Sequence, residues 1–380
     1  MSGTKGGAAT LRAVLAALLM VAACASMGAQ KVAINLYTGG SDNVRVTWEA
    51  VLDAFTKAEP SVQVNLQYLA SGTGGQGGVD KLIAAVQAGV KSVDIDVLET
   101  SDNDIARILK EAGDKSLTSI TTKEVPNLKN VLQKSSLGRD YAVPFRGTTV
   151  LVAYNSDRVT NPPKTYDELI TWIKAHKGRL AYNDPTTGGS GESFVISSIY
   201  NSLPADALTS TDAKWKAQWD KGFELLKSLQ PYLYSASGKV QYPVKNQGTI
   251  DLLANGEVDM IPAWADMILD QKSRGLLPAS IKLTQIEPAF NGGIQTLTVP
   301  ALSQHKDAAY KLLNFVTSPE GQSIFVRSMK AIPIVPATSL SKDTIDMLAG
   351  LQIKGFRPYT IGALEADLMK RWQTDIAAAR

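Results

Sequence analysis

The sequence predicts an α/β protein that folds into two lobes with a cleft between them. Over residues 31–112, segments with strand-like alternation and segments with helical spacing follow one another in turn, which is typical of a parallel sheet covered by helices. Two long extended runs, 141–154 and 293–299, interrupt this rhythm, and such runs can pass from one lobe to another. A chain of 380 residues has the length for two hydrophobic cores, since domains usually hold about 100–200 residues.

The composition excludes several classes of protein. Hydrophobic residues at 44% and charged residues at 20% are typical of soluble globular chains. The formal net charge is only +3 and there is no run of basic residues, so we expect neither nucleic acid nor an anionic membrane as partner. One cysteine and two histidines exclude an internal disulfide, a Cys-rich zinc site and an iron–sulfur cluster, and we expect no cofactor and no metal site.

Residues 1–29 have the pattern of an export signal. Lys5 and Arg12 precede the uncharged apolar segment 13–23, which is too short for a transmembrane helix of about 20 residues. The tetrapeptide 21–24 resembles the lipobox of bacterial lipoproteins, with Cys24 at the position that receives the lipid. The alternative is a soluble periplasmic protein that is cut later, at Ala25 or Ala29. We therefore expect an exported protein, periplasmic or on the cell surface, with a possible lipid anchor.

The first strands and helices follow from apolar periodicity and from the residues that end each element. The alternating segment 31–37 predicts a strand that ends at Gly39 and Gly40. Asp42 or Asn43 is the expected cap of a helix that continues to Pro60. Further strands are expected at 62–69 and 92–98, a glycine-rich loop at 71–78, and further helices at 79–88 and 102–112.

The second half of the chain predicts a second lobe. Helices are expected at 166–175, 193–202, 215–229, 248–254, 306–316, 319–329 and in the terminal region 343–380, with strands at 179–182 and 258–263. The two extended runs cross near Arg146 and Thr298. Lobe 1 is therefore expected to comprise 30–147 plus 297–338, and lobe 2 is expected to comprise 148–296 plus 339–380. Ligands of open α/β sheets bind beyond the carboxyl ends of the strands, which predicts a site in the cleft.

The first glycine-rich loop is a candidate ligand contact. Residues 72–77 match the dinucleotide-binding pattern G-x-G-x-x-G, with Asp94 and Asp96 about twenty positions further on. Glycine-rich turns match this pattern easily by accident, and an exported protein meets little cellular NAD. The weaker interpretation is that Ser71, Gly72 and Thr73 offer backbone N–H groups and hydroxyls to a small ligand.

A second glycine-rich loop, 184–191, has the same character in the second lobe. Thr187, Gly188, Gly189 and Ser190 combine free backbone approach with adjustable hydroxyls. The segment misses the serine-hydrolase pattern G-x-S-x-G because Glu192 stands at the last glycine position. A plain surface loop is the alternative interpretation.

Further candidates lie at the ends of strands and in the first crossing. Arg146 follows Pro144 and Phe145, where a guanidinium needs either a ligand anion or an internal carboxylate. Trp264 and Asp266 follow the strand 258–263, and they are candidates for stacking on a ligand and for accepting hydrogen bonds from it. The alternatives are a core tryptophan and a helix cap. Tyr37, Gly39, Gly40 and Gln295 complete the set of candidate ligand contacts.

Three segments resemble one known family. Tyr37-Thr38-Gly39-Gly40, the stretch 253–259 leading into 263–266, and above all 298–338 are similar to extracellular solute-binding proteins of bacterial ABC importers, in the type II, family 1 group of polyamine, thiamine and ferric-iron binders. The resemblance covers nearly all of the chain after the signal. It implies the type II periplasmic-binding-protein fold, a ligand held by hinge closure of two lobes, a monomer, and delivery of the ligand to ABC permease subunits.

Departures from the family narrow the expected ligand. Where polyamine-binding relatives offer a carboxylate on the hinge strand, this sequence has Gln295, and the adjacent tyrosines of iron binders are replaced by the separated Tyr232 and Tyr234. The hydroxyl-rich loops and Arg146 favour a zwitterion or an organic anion. The alternative function is an exported α/β enzyme that acts on a small polar substrate, although only His176 and His305 are available as histidine bases.

Overall fold

The computed structural model describes residues 31–70, 77–132, 139–349 and 351–378. The expected signal peptide, Cys24, Ser71, Gly72 and Thr73 lie outside these described residues. Within them, none of the helices combines the length and the apolar character needed to cross a bilayer.

The first lobe begins with alternating strands and helices, as expected. They are β1 (Val32–Gly40), α1 (Asp42–Ala58), β2 (Val62–Ala70), α2 (Gly77–Gln87), β3 (Val97–Thr100) and α3 (Asp102–Ala112). β1 pairs in parallel with β2 and with β3, because each strand is followed by a helix that returns the chain to the same end of the sheet. Ser101 caps α3 by accepting a hydrogen bond from the backbone N–H of Asp104.

The middle of the chain builds the second lobe and then returns to the first. Its elements are β4 (Val143–Asn155), α4 (Tyr166–Ala175), α5 (Gly189–Tyr200), α6 (Asp220–Leu229), the short strands β5 (Ser235–Ala236) and β6 (Lys239–Val240), α7 (Lys245–Ala254), β7 (Met260–Trp264), α8 (Ala265–Ser273), β8 (Ile281–Thr284) and β9 (Gly292–Thr298). They are followed by α9 (Lys306–Val316), α10 (Pro319–Met329), α11 (Lys342–Asp346) and α12 (Leu364–Trp372).

Strands β4 and β9 connect the two lobes. The first part of β4 pairs with β9, and the residues from Val150 to Asn155 pair instead with β7 and β8. The sheet order is β2-β1-β3-β9-β4-β7, with β8 on β4. Two crossing strands therefore join two groups of strands, which confirms the prediction of extended crossings.

Each lobe has its own hydrophobic core. In the first core, the rings of Trp48, Phe145 and Phe325 pack with centroids 5.2–5.3 Å apart. In the second, Tyr182 stacks on Phe194 at 4.7 Å, and Trp372 from the chain end packs in the same core. The α/β chain therefore has a separate core in each of two lobes, in agreement with the predicted fold class. Trp215 and Trp219 belong to the second core.

Four elements differ from the sequence predictions. The strand expected at 92–98 is found at Val97–Thr100. The strand at 179–182 is reduced to one parallel bridge between Leu180 and Met260, since the Asn183 side chain donates to the carbonyls of Asp184 and Gly188 and turns the chain. The helix at 215–229 is divided by Trp219 into a 3₁₀ turn and α6. The terminal region is not continuously helical, because Pro358 lacks the N–H that a helix requires, and residues 351–362 run without regular structure.

Candidate ligand-binding cleft

Three adjoining cavities, which together we call the cleft, have volumes of about 410, 400 and 190 Å³. Gln295 on β9 lines all three. Thr148 and Trp264 are shared by the first and third cavities, and Glu192 is shared by the first and second. The cleft is thus one connected space with walls from both lobes.

The end of β1 forms one wall of the second cavity. Tyr37, Gly39 and Gly40 all line it, as the sequence indicated. A Cβ on Gly39 would lie 2.8 Å from the carbonyl oxygen of Leu69, so only glycine fits between β1 and β2 at this point. The Tyr37 hydroxyl accepts a hydrogen bond of 2.9 Å from Lys81 Nζ. This hydroxyl therefore has a partner within the protein as well as a place in the cavity wall.

Arg146 is paired with an internal carboxylate. Its Nη2 donates to Glu99 Oε1 at 2.9 Å, and both side chains are 8% exposed. Glu99 also accepts a hydrogen bond from Thr38 Oγ1. Arg146 lines the third cavity, and its buried Nε has no hydrogen-bond partner among the described residues. The sequence left a ligand anion and an internal carboxylate as alternatives, and the internal pair is the arrangement found.

Asp266 connects the two lobes across the third cavity. Its Oδ1 accepts from Thr148 Oγ1 and its Oδ2 from Asn43 Nδ2, both at 2.9 Å. Asn43 belongs to the first turn of α1 in the first lobe, whereas Asp266 lies in the first turn of α8, where a negative charge is favourable. Trp264, not Asp266, holds the cap position of α8.

The indole of Trp264 lies beside the N-terminus of α5. Trp264 ends β7 and lines the first and third cavities, and it is only partly buried. Gly189 lines the third cavity next to it. The stacking position predicted for Trp264 is therefore geometrically available, although the same ring also packs on the second core.

The rest of the second glycine-rich loop is tied to the protein itself. Ser190 Oγ lies 2.7 Å from Asn183 Oδ1, and the side chain is fully buried. Thr187 Oγ1 accepts a hydrogen bond of 2.8 Å from the backbone N–H of Lys245. A Cβ on Gly188 would lie 2.6 Å from Asn246 Oδ1. Thr187, Gly188 and Ser190 are not among the residues that line the three cavities, and they shape the wall from behind.

A group of carboxyl side chains in the cleft was missed by sequence reasoning. Glu192 on α5 and Glu365 on α12 both line the first cavity, and Asp104 on α3 lines the second. The Tyr359 hydroxyl donates to Glu192 Oε1, and Asn103 Nδ2 donates to Glu365 Oε2 at 3.1 Å. Of these residues, only Glu192 stood out in the sequence, because it interrupts the serine-hydrolase pattern. Nothing local in the sequence connects Glu192 with Tyr359, which lies 167 positions further along the chain.

Burial raises the pKa values of these three carboxyl groups, and nearby carboxylates raise that of Glu365 further. Burial is the main cause for Glu192, and the hydrogen bond from Tyr359 opposes it. The pKa of Glu365 is raised well above its usual range, first by burial and then by the nearby Glu192 and Asp104 carboxylates. Burial also raises the pKa of Asp104. Among the described residues that line the three cavities, Arg146 is the sole lysine or arginine.

The described part of the chain contains no group of three or more His, Cys, Asp or Glu side chains arranged to hold a metal ion. The cleft instead combines amide, hydroxyl and carboxyl groups with the rings of Trp264, Phe356 and Tyr359. Such a mixture of apolar faces and a few polar groups is typical of the sites in which proteins bind small solutes.

The fold and the cleft together define a two-lobed binding protein. Residues 50–349 match the family of bacterial extracellular solute-binding proteins, and the chain belongs to that family. Its members bind solutes and are not enzymes, which agrees with the prediction of a binding protein.

Individual relatives are distant. The chain is 27% identical over 209 residues to the maltotriose-binding protein of Pyrococcus abyssi, a match that covers 52% of this chain and 45% of the relative. The chain spans about half the length of the curated relatives it matches. It therefore shares only part of each relative's sequence.

Solved structures agree on the fold. An ABC transporter substrate-binding protein from Bradyrhizobium japonicum superposes with a TM-score of 0.63 and 15% identity, covering 91% of this chain and 100% of the other. A ferric binding protein from Campylobacter jejuni superposes with a TM-score of 0.61 and 16% identity, covering 92% and 99%. Both confirm the periplasmic-binding-protein fold.

Proposed function

We propose that this protein is the solute-binding component of an ABC importer. It captures a small polar solute in the cleft and delivers it to permease subunits in the membrane. The observation that carries the proposal is the position of Gln295 on a crossing strand, where it lines three connected cavities with walls from both lobes. A solute held there contacts both lobes at once, so it stabilises the closed arrangement over an open one.

The proposed hinge consists of β4 and β9 where they pass between the lobes. We keep the lobe bounds 30–147 plus 297–338 and 148–296 plus 339–380. The proposed ligand contacts among the described residues are Tyr37, Gly39, Gly40, Arg146, Gly189, Trp264, Asp266 and Gln295, joined by Glu192 and Glu365. Packing of Leu297 in the first core and of Trp372 in the second supports the main division. Leu340 packs with Val326 and Ile334 of the first lobe, so the short stretch after residue 338 lies with lobe 1.

The charges in the cleft favour a zwitterion over a simple organic anion. Arg146 already pairs with Glu99, and an added anion would meet several further carboxyl groups. A positively charged end on the solute offsets these groups. Arg146 Nε, which has no acceptor in the part of the chain that the structure describes, offers a donor to an acceptor atom elsewhere on the solute.

The proposed location is outside the cytoplasm, with a lipid anchor at Cys24. The lipobox-like tetrapeptide supports the anchor. Labelling cells with radioactive palmitate checks this step: the label is expected on the wild-type protein and is expected to be lost in Cys24→Ala. Absence of label on the wild-type protein would contradict the lipid anchor and favour the soluble periplasmic form.

Native mass spectrometry and small-angle scattering test the function. Freshly purified protein is expected to carry a small molecule whose mass identifies the solute. Removing and restoring that solute is expected to increase and then decrease the radius of gyration, because closure brings the lobes together. Equal dimensions with and without saturating solute would contradict hinge closure, and chemical conversion of the solute would contradict a pure binding role.

A further inference from the structure

Two carboxyl side chains, those of Glu192 and Glu365, line the first cavity of the cleft and interact with each other. Glu192 comes from α5, and Glu365 comes from α12 after the irregular segment 351–362. The rings of Trp264, Phe356 and Tyr359 line the same cavity of about 410 Å³. Aromatic faces next to carboxyl groups form the environment in which proteins bind nitrogen cations.

Further carboxyl groups lie around this pair, whereas the cationic side chains of α3 line a different cavity. Tyr359 donates to Glu192 and Asn103 donates to Glu365, and both donors are uncharged. From α3, Asp104 adds another carboxyl group to the surroundings of Glu365, and Asp102 lines the same cavity as the pair. Two cationic side chains of α3, Arg107 and Lys110, line a separate cavity together with Glu365. Arg107 forms ion pairs there with Asp80 and Glu111.

A second observation, independent of the carboxyl groups, also indicates a ligand. Arg146 is 7% exposed, and its Nε is buried without a hydrogen-bond partner among the described residues. Arg146 lines the third cavity, which shares Thr148, Trp264 and Gln295 with the first. A buried donor without an acceptor costs free energy, so an acceptor atom from a bound solute stabilises this arrangement.

We propose that Glu192 and Glu365 bind the cationic nitrogen of the solute, an ammonium or guanidinium group, and that Arg146 Nε donates to an oxygen elsewhere on the same solute. This inference rests on the proposed function and narrows it to one class of solute. Two ionised carboxylates side by side in a half-buried cavity are unfavourable without a counter-charge, and a nitrogen cation supplies that charge together with N–H donors.

Binding of such a cation is coupled to release of a proton. In the empty cleft the pair is stabilised by a shared proton, since like charges at close range keep one carboxyl group protonated. The cation takes the place of that proton, which passes to solvent. The affinity for a cationic solute is therefore expected to rise with pH as the pair ionises and to fall when the pH is lowered.

A matched set of probes tests the proposal. Calorimetric titrations with 4-aminobutyrate, butylammonium and butyrate are compared, together with the mass of any solute that the wild-type protein retains. The two ammonium probes are expected to bind and butyrate is not, and the retained solute is expected to contain a basic nitrogen. Butyrate binding as well as butylammonium, or a retained solute without nitrogen, would overturn the subsite but leave the proposed function intact.

Variants separate the subsite from general stability. Glu365→Gln and Glu192→Gln each keep the side-chain shape, and each is expected to weaken binding of 4-aminobutyrate by roughly 10- to 100-fold, the range for loss of a charge-assisted hydrogen bond. Glu224→Gln on the exposed face of α6 is the control and is expected to leave binding unchanged. Unchanged affinity in both cleft variants would overturn the proposal. Absence of any retained solute and of binding by every probe would count against the proposed function as well.

Discussion

The indole of Trp264 packs against Gly189 at the start of α5. A Cβ on Gly189 would lie 3.0 Å from Trp264 Cζ2 and 3.4 Å from its Nε1, closer than side-chain carbons normally approach a ring. The absence of a side chain at this first residue of α5 leaves room for the aromatic ring that lines two of the three cavities. Gly189 acts on the cleft through Trp264 in addition to lining it.

Removal of the Trp264 ring is expected to weaken solute binding. Trp264→Ala removes an aromatic face whose contact with a solute contributes about 0.5–2 kcal/mol, which corresponds to a loss of affinity between roughly 2- and 30-fold. Trp264→Phe is expected to retain part of the affinity. Trp172→Ala is the control, because Trp172 stacks on His176 and does not line the cleft cavities. Calorimetry with the retained solute measures the effect, and equal losses in the Trp264→Ala and Trp172→Ala variants would contradict it.

Gly191→Ala is expected to destabilise the second lobe. The new Cβ would lie 2.0 Å from the carbonyl oxygen of Asn183, so the backbone must move. Overpacking of this kind costs about 1–3 kcal/mol or more. Gly355→Ala is the control, since among the described residues no atom other than those of its chain neighbours lies within 4 Å of its Cβ position. Urea unfolding compares the two, and a Gly191→Ala protein as stable as wild type would show that the helix start shifts without cost.

Loss of only one member of the Arg146–Glu99 ion pair is expected to destabilise the protein more than loss of both. Glu99→Gln leaves a buried guanidinium without its counter-charge, which is expected to lower the free energy of unfolding by about 3–5 kcal/mol. The double variant Arg146→Met with Glu99→Gln is expected to be more stable than Glu99→Gln alone, because no buried charge remains. Chemical denaturation of the three proteins measures this, and an additive loss in the double variant would contradict the explanation.

The hydrogen bond between Asn43 and Asp266 is expected to hold the lobes together. It links α1 of the first lobe to α8 of the second at 2.9 Å. Asn43→Ala removes about 1 kcal/mol of stabilisation from the closed arrangement, a change of roughly fivefold in the ratio of closed to open protein. Small-angle scattering without solute is expected to show a larger radius of gyration. Asn130→Ala, at an exposed position, is the control, and equal dimensions in both variants would rule out this role.

The carboxyl groups of the cleft are expected to make stability fall as pH rises. The folded-state pKa values of Glu192 and Glu365 are raised by burial, so the folded protein keeps protons that the unfolded chain loses above about pH 4.3. Their stabilising contribution is complete below that pH and is lost as the pH passes through the raised values. In Glu365→Gln this loss is expected to be smaller. Urea unfolding of solute-free protein across this range measures it, and parallel pH profiles for wild type and variant would contradict it.

Part of the binding site was predictable because its residues are placed by strands. Trp264 is the last residue of β7, and Gln295 lies within β9. Strands with clear alternation can be predicted from the sequence, and so can the positions of the residues on them. Glu192 and Tyr359 were missed as a pair because they are 167 positions apart and Tyr359 belongs to a segment predicted as helix. Pro358 interrupts that helix, and the irregular backbone brings Tyr359 to the cleft wall.

Local periodicity and glycine placement determined the alternation of strands and helices and the two crossings, since these features depend on neighbours a few residues apart. The family was indicated by the resemblance of three segments, above all 298–338. Only the tertiary structure decided that Arg146 pairs with Glu99, that Ser190 is buried, and that Glu192 meets Glu365. Hydrogen bonds and charges act across space, so the partner that each polar side chain finds depends on how distant elements pack, and a single sequence does not contain that packing in any local pattern.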